Sequence, residues 1–422
     1  MDKENNEKFN LLEYYNQTKQ RIDLNIEMNT QKIVAQTKLT FVVKNEKQVV
    51  QDEIPESLYL HLNAENIFIN NIKIYNNNID KINKGSEEKS FSFNEKNMKI
   101  LEFKNTSPVC FYKSYLDLLF QNIEELDSYK NIKRIEWEIR QKGNLIIKIP
   151  KNFYLYKNNS SKINSNERKE TENCTDNLLI KKIKIIINYT LIEKNLGIIF
   201  QEFFEYKKDK SYIICYTPNF YFNTQYWIPC IYNLNILIIW SLYLYIPDDY
   251  YSYSSCVLNK IIKNENGKKL IIYKNIEKTI SRNIGFCLIN KKYFEVNINN
   301  NFILVYNKNK KDSIEKFFIK NKLIETLYKF YFDFFDINIE RNNAPTSIVF
   351  IPYLLFNNPY QGFNKFLKLK EDNYFSFIKF PNFYILPEKY IYNENIPDIS
   401  KFQLKILSKL FITNYIGALN IY

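Results

Sequence analysis

The 422-residue chain has one histidine, His61, seven glycines and six cysteines. A single histidine excludes a His-Glu-x-x-His zinc site and most Ser–His or Cys–His nucleophilic sites. The glycines form neither a Gly-x-x-x-x-Gly-Lys-Ser/Thr nor a Gly-x-Gly-x-x-Gly loop, so these phosphate-binding motifs are absent from the sequence. No two cysteines lie at the short spacing of a structural zinc site. The sequence therefore predicts no metal and no cofactor.

Long apolar runs are also missing. Residues 1–7 are charged and polar and lack the apolar core of a signal peptide. The most apolar stretch, Ile231–Ile246, is interrupted by polar residues and falls short of the ~20 residues that a membrane helix needs. We interpret it as a buried strand. We expect no membrane association and a reducing compartment, in which the sequon at residues 188–190 is unused.

What the chain has in excess is positive charge, with a net charge of +13 and a pI near 9.1. A basic balance of this size favours anionic partners such as nucleic acid. The alternative, which the composition leaves open, is a set of lysines spread over a solvated surface. The candidate nucleic-acid contacts are two clusters: Lys181, Lys182 and Lys184, and Lys308, Lys310 and Lys311.

Alternation of apolar and polar residues predicts strands in much of the N-terminal half. Residues 17–43 hold two such runs, separated by a turn at Met28–Gln31. Leu58–Asn63 and Lys181–Leu191 alternate in the same way, so each predicts a strand with one buried face. A continuous apolar run at 346–352 predicts a fully buried strand.

Two other kinds of segment interrupt this pattern. Residues near 76–106 and 157–178 are rich in Asn, Lys, Ser and Glu, and we expect them to be surface insertions. From Asp312 or Ser313, either of which is a candidate cap, apolar residues recur at helical spacing as far as Phe335. An aromatic stripe of this kind is far more typical of a helix packed on a core than of a ligand site.

The segment Ser400–Gly417 predicts a second amphipathic helix. It begins with a capping box, in which Ser400 and Gln403 exchange hydrogen bonds, and glycine ends it. Its apolar face consists of Leu404, Leu407, Phe411 and Tyr415.

This helix and its exit resemble the zinc-binding helix of the aminopeptidase N (gluzincin) family. The stretch Trp227–Cys230, within Gln225–Leu234, is similar to the Trp-Phe-Pro-Cys segment of the same family. We expect Trp227 and Cys230 to be buried in the core and Pro229 to end a strand. In those enzymes the helix carries His-Glu-x-x-His; here Lys409, Leu410 and Thr413 occupy the ligand, base and ligand positions. An ammonium repels zinc and leucine takes up no proton, so the resemblance implies a scaffold without catalytic residues.

The family's substrate-binding motif, Gly-x-Met-Glu-Asn, is also absent as such. The resemblance places Lys370–Tyr374 there, with Asn373 at the carboxylate position; a shift of two residues would place Glu371 or Asp372 there instead. Recognition of a substrate amino terminus is therefore not expected.

The segment Asn283–Phe286 is closer to a non-catalytic branch of that family, the second subunit of the transcription factor TFIID (TBP-associated factor two). That resemblance implies a nuclear scaffold that binds other TFIID subunits and promoter DNA and contributes to pre-initiation complex assembly for RNA polymerase II. No enzyme activity and no small-molecule substrate are expected. The alternatives are an aminopeptidase-related protein with residual or unconventional peptidase activity, and a peptide-binding pseudoenzyme.

The resemblance also gives a predicted architecture of the α+β class. An antiparallel, saddle-like β domain is expected at 1–295, followed at 296–422 by the first part of a thermolysin-like domain. Because the family continues into further helices beyond that point, the resemblance implies either a fragment or split gene product or a second domain that is cut short.

Overall fold

The computed structural model describes residues 10–44, 55–76, 91–100, 145–157, 177–231, 236–316, 326–330, 345–354 and 378–391, with short gaps inside several of these ranges. Strands account for 65% of the structure and helices for 12%, so the predicted α+β aminopeptidase-like fold is wrong. The two α-helices with defined ends in these ranges, α1 (Leu11–Tyr14) and α2 (Lys311–Ile314), have four residues each. The protein is a mainly-β structure with several sheets.

The largest sheet has eight strands. In spatial order they are β15 (Val257–Lys263), β16 (Lys268–Lys274), β13 (Ile239–Pro247), β1 (Tyr15–Glu27), β2 (Lys32–Val43), β10 (Lys182–Leu191), β4 (Ile67–Asn76) and β5 (Phe91–Ser92). Neighbours in this order run antiparallel, except that β1 and β13 run parallel. A segment more than 200 residues downstream therefore joins the N-terminal hairpin in one sheet.

The β1–β2 hairpin forms where the alternation predicted it. The turn lies at Met28–Gln31, and Gln31 takes the left-handed conformation, with φ of 55°. Register places Ile26 beside Ile33 and Leu24 beside Ala35, so the apolar residues of both strands share one buried face. The predicted strand at 181–191 is likewise confirmed as β10, with its alternate isoleucines fully buried.

Three smaller sheets share a core with this one. They are β3 (Ser57–Leu62), β7 (Leu145–Pro150) and β6 (Met98–Ile100); the pair β8 (Leu155–Lys157) and β9 (Asn177–Leu179); and β11 (Ile199–Glu205), β12 (Lys210–Tyr216), β17 (Phe286–Asn290) and β14 (Tyr250–Ser254). Side chains from the largest sheet and from these smaller sheets form one continuous core.

A five-stranded sheet follows in the second half of the chain. Its order is β18 (Phe294–Ile298), β19 (Phe302–Asn307), β20 (Thr346–Ile351), β22 (Phe383–Pro387) and β21 (Ile378–Phe380). Every residue of β20 and β22 is buried, and β19, β20 and β22 run parallel. Continuous apolar strands of this kind are typical of parallel sheets that are covered on both faces. The strand predicted at 346–352 is confirmed.

The structure corrects three local expectations. Pro229 does not end a strand, because it follows a 3-10 turn at Asn223–Tyr226 and a bend. The strand expected from residue 231 begins only at Ile239. The N-cap position of α2 is Lys310, which makes no side-chain capping bond, so neither Asp312 nor Ser313 caps this helix.

Several predictions lie outside the described residues. These are the helix at 400–417 with Lys409, Leu410 and Thr413, the Lys370–Tyr374 segment, the apolar stripe expected along 312–335, and most of the two insertions. The domain division at 295 stays a prediction; the first strand of the five-stranded sheet begins at Phe294.

Candidate nucleic-acid interface

The eight-stranded sheet has one buried face and one face toward solvent. Along most of β1, β2, β10 and β13 the side chains alternate between these faces, as the pleat requires; a bulge between Gln17 and Lys19 interrupts the alternation in β1. The inner face packs on the core through isoleucine, leucine, phenylalanine and Trp240. The outer face carries the polar residues of the same strands, so its chemistry is set by which charges the strand order places side by side.

Cations predominate on the outer face. We call the following group the cationic band: Lys19, Arg21, Lys38, Lys73, Lys182, Lys184 and Lys274. Its members come from five different strands and are all exposed or half-buried.

Strand register arranges the band in rows across the sheet. Lys274 lies beside Ser241, Ser241 beside Arg21, and Arg21 beside Lys38. The row continues from Lys38 through Ile186 on β10 to Lys73 on β4. Since neighbouring strands lie about 4.8 Å apart, the row from β16 to β4 spans roughly 24 Å. This is a line of positive charge perpendicular to the strands.

A second row runs directly beside the first. Thr40 on β2 has Lys19 as its neighbour on one side and Lys184 on the other. Lys184 in turn lies beside Tyr75, and Lys182 lies two residues further along β10. The two rows together make the band a surface rather than a single line.

One carboxylate, Asp23, lies directly beside the band. The Arg21 guanidinium donates to it through Nε at 2.8 Å and through Nη2 at 2.7 Å, while Lys38 Nζ lies 3.7 Å from it. The guanidinium also lies over the Tyr243 ring, 3.6 Å from the ring centroid. Arg21 is therefore held in place on both sides, and Asp23 offsets part of the charge of Arg21 and Lys38.

The remaining lysines of the band are not offset in this way. Within the described part of the chain, no ion pair engages Lys19, Lys73, Lys182, Lys184 or Lys274. Unpaired ammonium groups on a solvent-exposed sheet create a positive potential that attracts polyanions. These five lysines can therefore form charge-assisted hydrogen bonds with phosphate oxygens without first breaking an internal salt bridge.

The structure separates the two lysine clusters that the sequence singled out. Lys182 and Lys184 belong to the band, and Lys181 is exposed immediately before β10. The other cluster lies in the helical turns that directly follow β19, a strand of the five-stranded sheet.

In that second cluster two of the three ammonium groups, those of Lys308 and Lys311, bind the protein itself. Lys308 Nζ donates to the carbonyl of Lys292 at 2.8 Å. Lys311 Nζ donates to Glu295 Oε1 at 2.9 Å, and Glu315 lies 3.9 Å away. The carboxylates raise the pKa of Lys311. This cluster is thus the weaker candidate for binding phosphate.

Sequence reasoning missed the other members of the band because they are far apart along the chain. Lys19, Lys38, Lys73 and Lys274 are single lysines in alternating strands. The alternation assigns each of them to a solvent-facing side. It does not reveal that β13 pairs with β1 or that β10 lies between β2 and β4, and this pairing is what brings the cations together.

The other candidate chemical groups do not form a site in the described ranges. Cys215, Cys230, Cys256 and Cys287 are buried, and burial raises the pKa of Cys230 and of Cys256 to about 12, so these thiols stay protonated at neutral pH. His61 lies in β3 beside Ile146. No group of three or more His, Cys, Asp or Glu side chains suited to a metal ion occurs among the described residues.

No helix in the described ranges is both long enough and apolar enough to cross a bilayer. A scan of the chain against protein-family models gives no match, and a search of curated proteins finds no relative.

Proposed function

We propose that the protein is a non-catalytic scaffold that binds nucleic acid through the cationic band, in the role of a TFIID second subunit at promoter DNA. One observation carries the proposal: register places cations from five strands together on the outer face of the largest sheet. The resemblance of Asn283–Phe286 to the TFIID subunit supplies the identity of the complex. Only this role is inferred from the resemblance; the aminopeptidase-like fold is not.

The geometry of the band favours contacts with the phosphate backbone. A row of roughly 24 Å spans about seven base-pair steps of 3.4 Å along the axis of a DNA duplex. Lysine ammonium groups are point charges on flexible stems, which suit phosphates at variable positions. Phosphate contacts fix position and provide affinity but read no base sequence.

The aromatic side chains on this face argue against binding by base stacking. The Arg21 guanidinium already covers Tyr243. The exposed Phe68 and the half-buried Tyr75 lie on β4, and the half-buried Tyr245 lies on β13, with three strands between β4 and β13. Proteins that bind single strands offer successive aromatic platforms. We therefore expect double-stranded DNA to be the preferred partner and sequence preference to be small.

The cellular role is tested by identifying the proteins and the chromatin sites with which the protein associates. Affinity purification of the full chain from its own cells should recover other TFIID subunits, and chromatin immunoprecipitation should place it at active promoters in the nucleus. Uniform location outside the nucleus, together with purification free of TFIID subunits, would remove the TFIID role.

DNA binding by the cationic band is tested separately with purified protein and a duplex of arbitrary sequence. Replacement of Lys182 and Lys184 by glutamine should weaken binding. Because this assay contains no other subunit, its outcome does not depend on the TFIID assignment.

A further inference from the structure

A separate interaction surface lies at the end of the same sheet, at the edge strand β15. This strand pairs with β16 on one side, and β15 ends the strand order of the sheet. No strand among the described residues pairs with its second edge, where alternate residues of Val257–Lys263 present backbone N–H and C=O groups. Such an edge is a template for one more strand.

On the face that is buried elsewhere, β15 carries two exposed apolar side chains and, at its end, Lys263. Leu258 lies beside Tyr273, and Ile261 lies beside Ile271. Tyr273 and Ile271 are 4% and 3% exposed, whereas Leu258 and Ile261 are 50% and 51% exposed. The core therefore stops at β16, and β15 extends past it with two uncovered aliphatic side chains.

A bulge between Leu258 and Lys260 places the apolar side chains where an added strand would need them. The extra residue, Asn259, keeps Leu258 and Ile261 on the inner face although they are three positions apart. Lys260 then lies beside Ile272 on the outer face. The outer side of the β15–β16 hairpin carries Lys260, Lys268 and Lys274, whereas the inner side of β15 carries Leu258, Ile261 and, at its end, Lys263.

The positive charge of the β15–β16 hairpin favours a partner segment that carries negative charge. The sequence Val257–Lys274 contains five lysines and one glutamate. Pairing of two copies of this edge would bring ten lysines together against two glutamates, which opposes self-association. An extended segment with carboxylates on one face and apolar residues on the other complements both sides of β15.

We propose that β15 binds an acidic, extended segment of a partner protein as an additional strand of the largest sheet. Backbone hydrogen bonds to Val257–Lys263 provide affinity. Leu258 and Ile261 pack against apolar side chains of the partner, and Lys260, with Lys268 and Lys274 of β16, attracts its carboxylates. This interaction does not depend on the DNA-binding role of the cationic band.

The test uses the full chain and a synthetic peptide of alternating glutamate and valine. Fluorescence anisotropy measures binding, and hydrogen exchange measures protection of the β15 amides. We expect binding with protection of residues 257–263. A peptide with proline at the central position and a peptide of alternating lysine and valine should both bind at least about tenfold more weakly.

Two variants separate edge pairing from general charge attraction. Leu258→Lys with Ile261→Lys adds positive charge yet should weaken peptide binding about tenfold or more, because it removes the apolar contact. Val34→Lys is the matched control: Val34 is 42% exposed on β2, an interior strand of the same sheet. It should leave binding unchanged. All substituted residues are at the surface, so thermal unfolding should stay close to that of the unmodified protein.

Three outcomes would overturn the proposal. The first is no binding of the acidic peptide. The second is binding that the double variant does not weaken or that leaves the β15 amides unprotected. The third is a dimer, detected by sedimentation, that the double variant dissociates, since this would show that a second copy occupies the edge.

Discussion

Trp227 and Phe286 meet edge to face in the core, with ring centroids 5.8 Å apart and ring planes at 73°. Both side chains are fully buried. Trp227 lies in the Trp-Ile-Pro-Cys segment and Phe286 in the Asn-Ile-Gly-Phe segment, which the sequence singled out for different reasons. The two segments are thus parts of one packing unit, which links the turn before β13 to β17.

Hydrogen bonds connect this packing unit to the largest sheet. Tyr189 on β10 donates its hydroxyl to the carbonyl of Trp227 at 2.9 Å, and Gln20 on β1 donates to the carbonyl of Pro229 at 2.9 Å. The Cys230 and Asn63 backbones exchange hydrogen bonds of 2.8 and 3.1 Å. Trp227 therefore lies at a junction of several sheets.

Replacement of Trp227 by alanine should lower the free energy of unfolding by about 3–5 kcal/mol, since it leaves a large cavity in a packed core. A double-mutant cycle with Phe286→Ala should give a coupling of about 0.5–1.5 kcal/mol between the two rings. Urea unfolding followed by circular dichroism measures both values. Phe204→Ala is the control, because Phe204 is 52% exposed; a similar loss there would contradict the account.

Gly285 is required by a close approach between two sheets. A methyl group at this position would overlap the ring of Phe380 on β21, and Phe380 is itself buried. We expect Gly285→Ala to destabilise the protein by about 1–3 kcal/mol through overpacking. Thermal unfolding measures the loss, and a second substitution, Phe380→Leu, should recover part of it. No loss in the alanine variant would show that the ring moves aside freely.

Glu388, directly after β22, should make stability depend on pH. Burial raises the pKa of Glu388 to about 7, and nearby Lys310 offsets part of that rise. One carboxyl oxygen, Oε1, is buried and has no hydrogen-bond partner among the described residues. Between pH 4.5 and 7 the folded state keeps a proton that the unfolded state has lost, so this group's contribution to stability falls as pH rises.

The Glu388→Gln variant tests this sign. Relative to the variant, the unmodified protein should lose stability between about pH 4.5 and pH 7, by up to roughly 3 kcal/mol. Urea unfolding of both proteins at several pH values measures the difference. A difference that does not change with pH, or that favours the unmodified protein at higher pH, would show that the carboxyl is not held protonated.

The purified full chain should contain no stoichiometric zinc and should release no terminal amino acid from aminoacyl or peptide substrates. The reason lies in the sequence, which has a single histidine and no His-Glu-x-x-His motif. Elemental analysis and an aminopeptidase assay check this expectation. One zinc ion per chain, or turnover that a chelator abolishes, would favour the aminopeptidase-related alternative.

The sequence predicted local strand structure well where alternation was long. The β1–β2 hairpin, β10 and β20 were found because their isoleucine, leucine and valine residues recur at the strand period. Burial of Trp227 and Cys230 was also expected. These are local properties, set by side-chain period and by the low polarity of the residues.

The predicted fold class was wrong for a different reason. It was taken from the resemblance, which implied an α+β chain with the first part of a thermolysin-like domain, whereas the structure is mostly strands and its second half contains a five-stranded sheet that begins at Phe294. Only part of the cationic band was predicted from the sequence, because alternation gives the face on which each residue lies but not which strands are neighbours. Lys182 and Lys184 were found as a local cluster, while Lys73 and Lys274 required the strand order.

The most direct test of the account measures how the affinity of the full chain for a DNA duplex depends on salt. Each lysine that neutralises a phosphate should contribute about −0.9 to the slope of log K against log salt concentration. The variant Lys182→Gln with Lys184→Gln should therefore have a slope less steep by about 1.8. The control, Lys308→Gln with Lys311→Gln, removes the same charge from the other cluster and should leave the slope nearly unchanged. Equal slopes for the unmodified protein and the Lys182/Lys184 variant would contradict DNA binding by the cationic band.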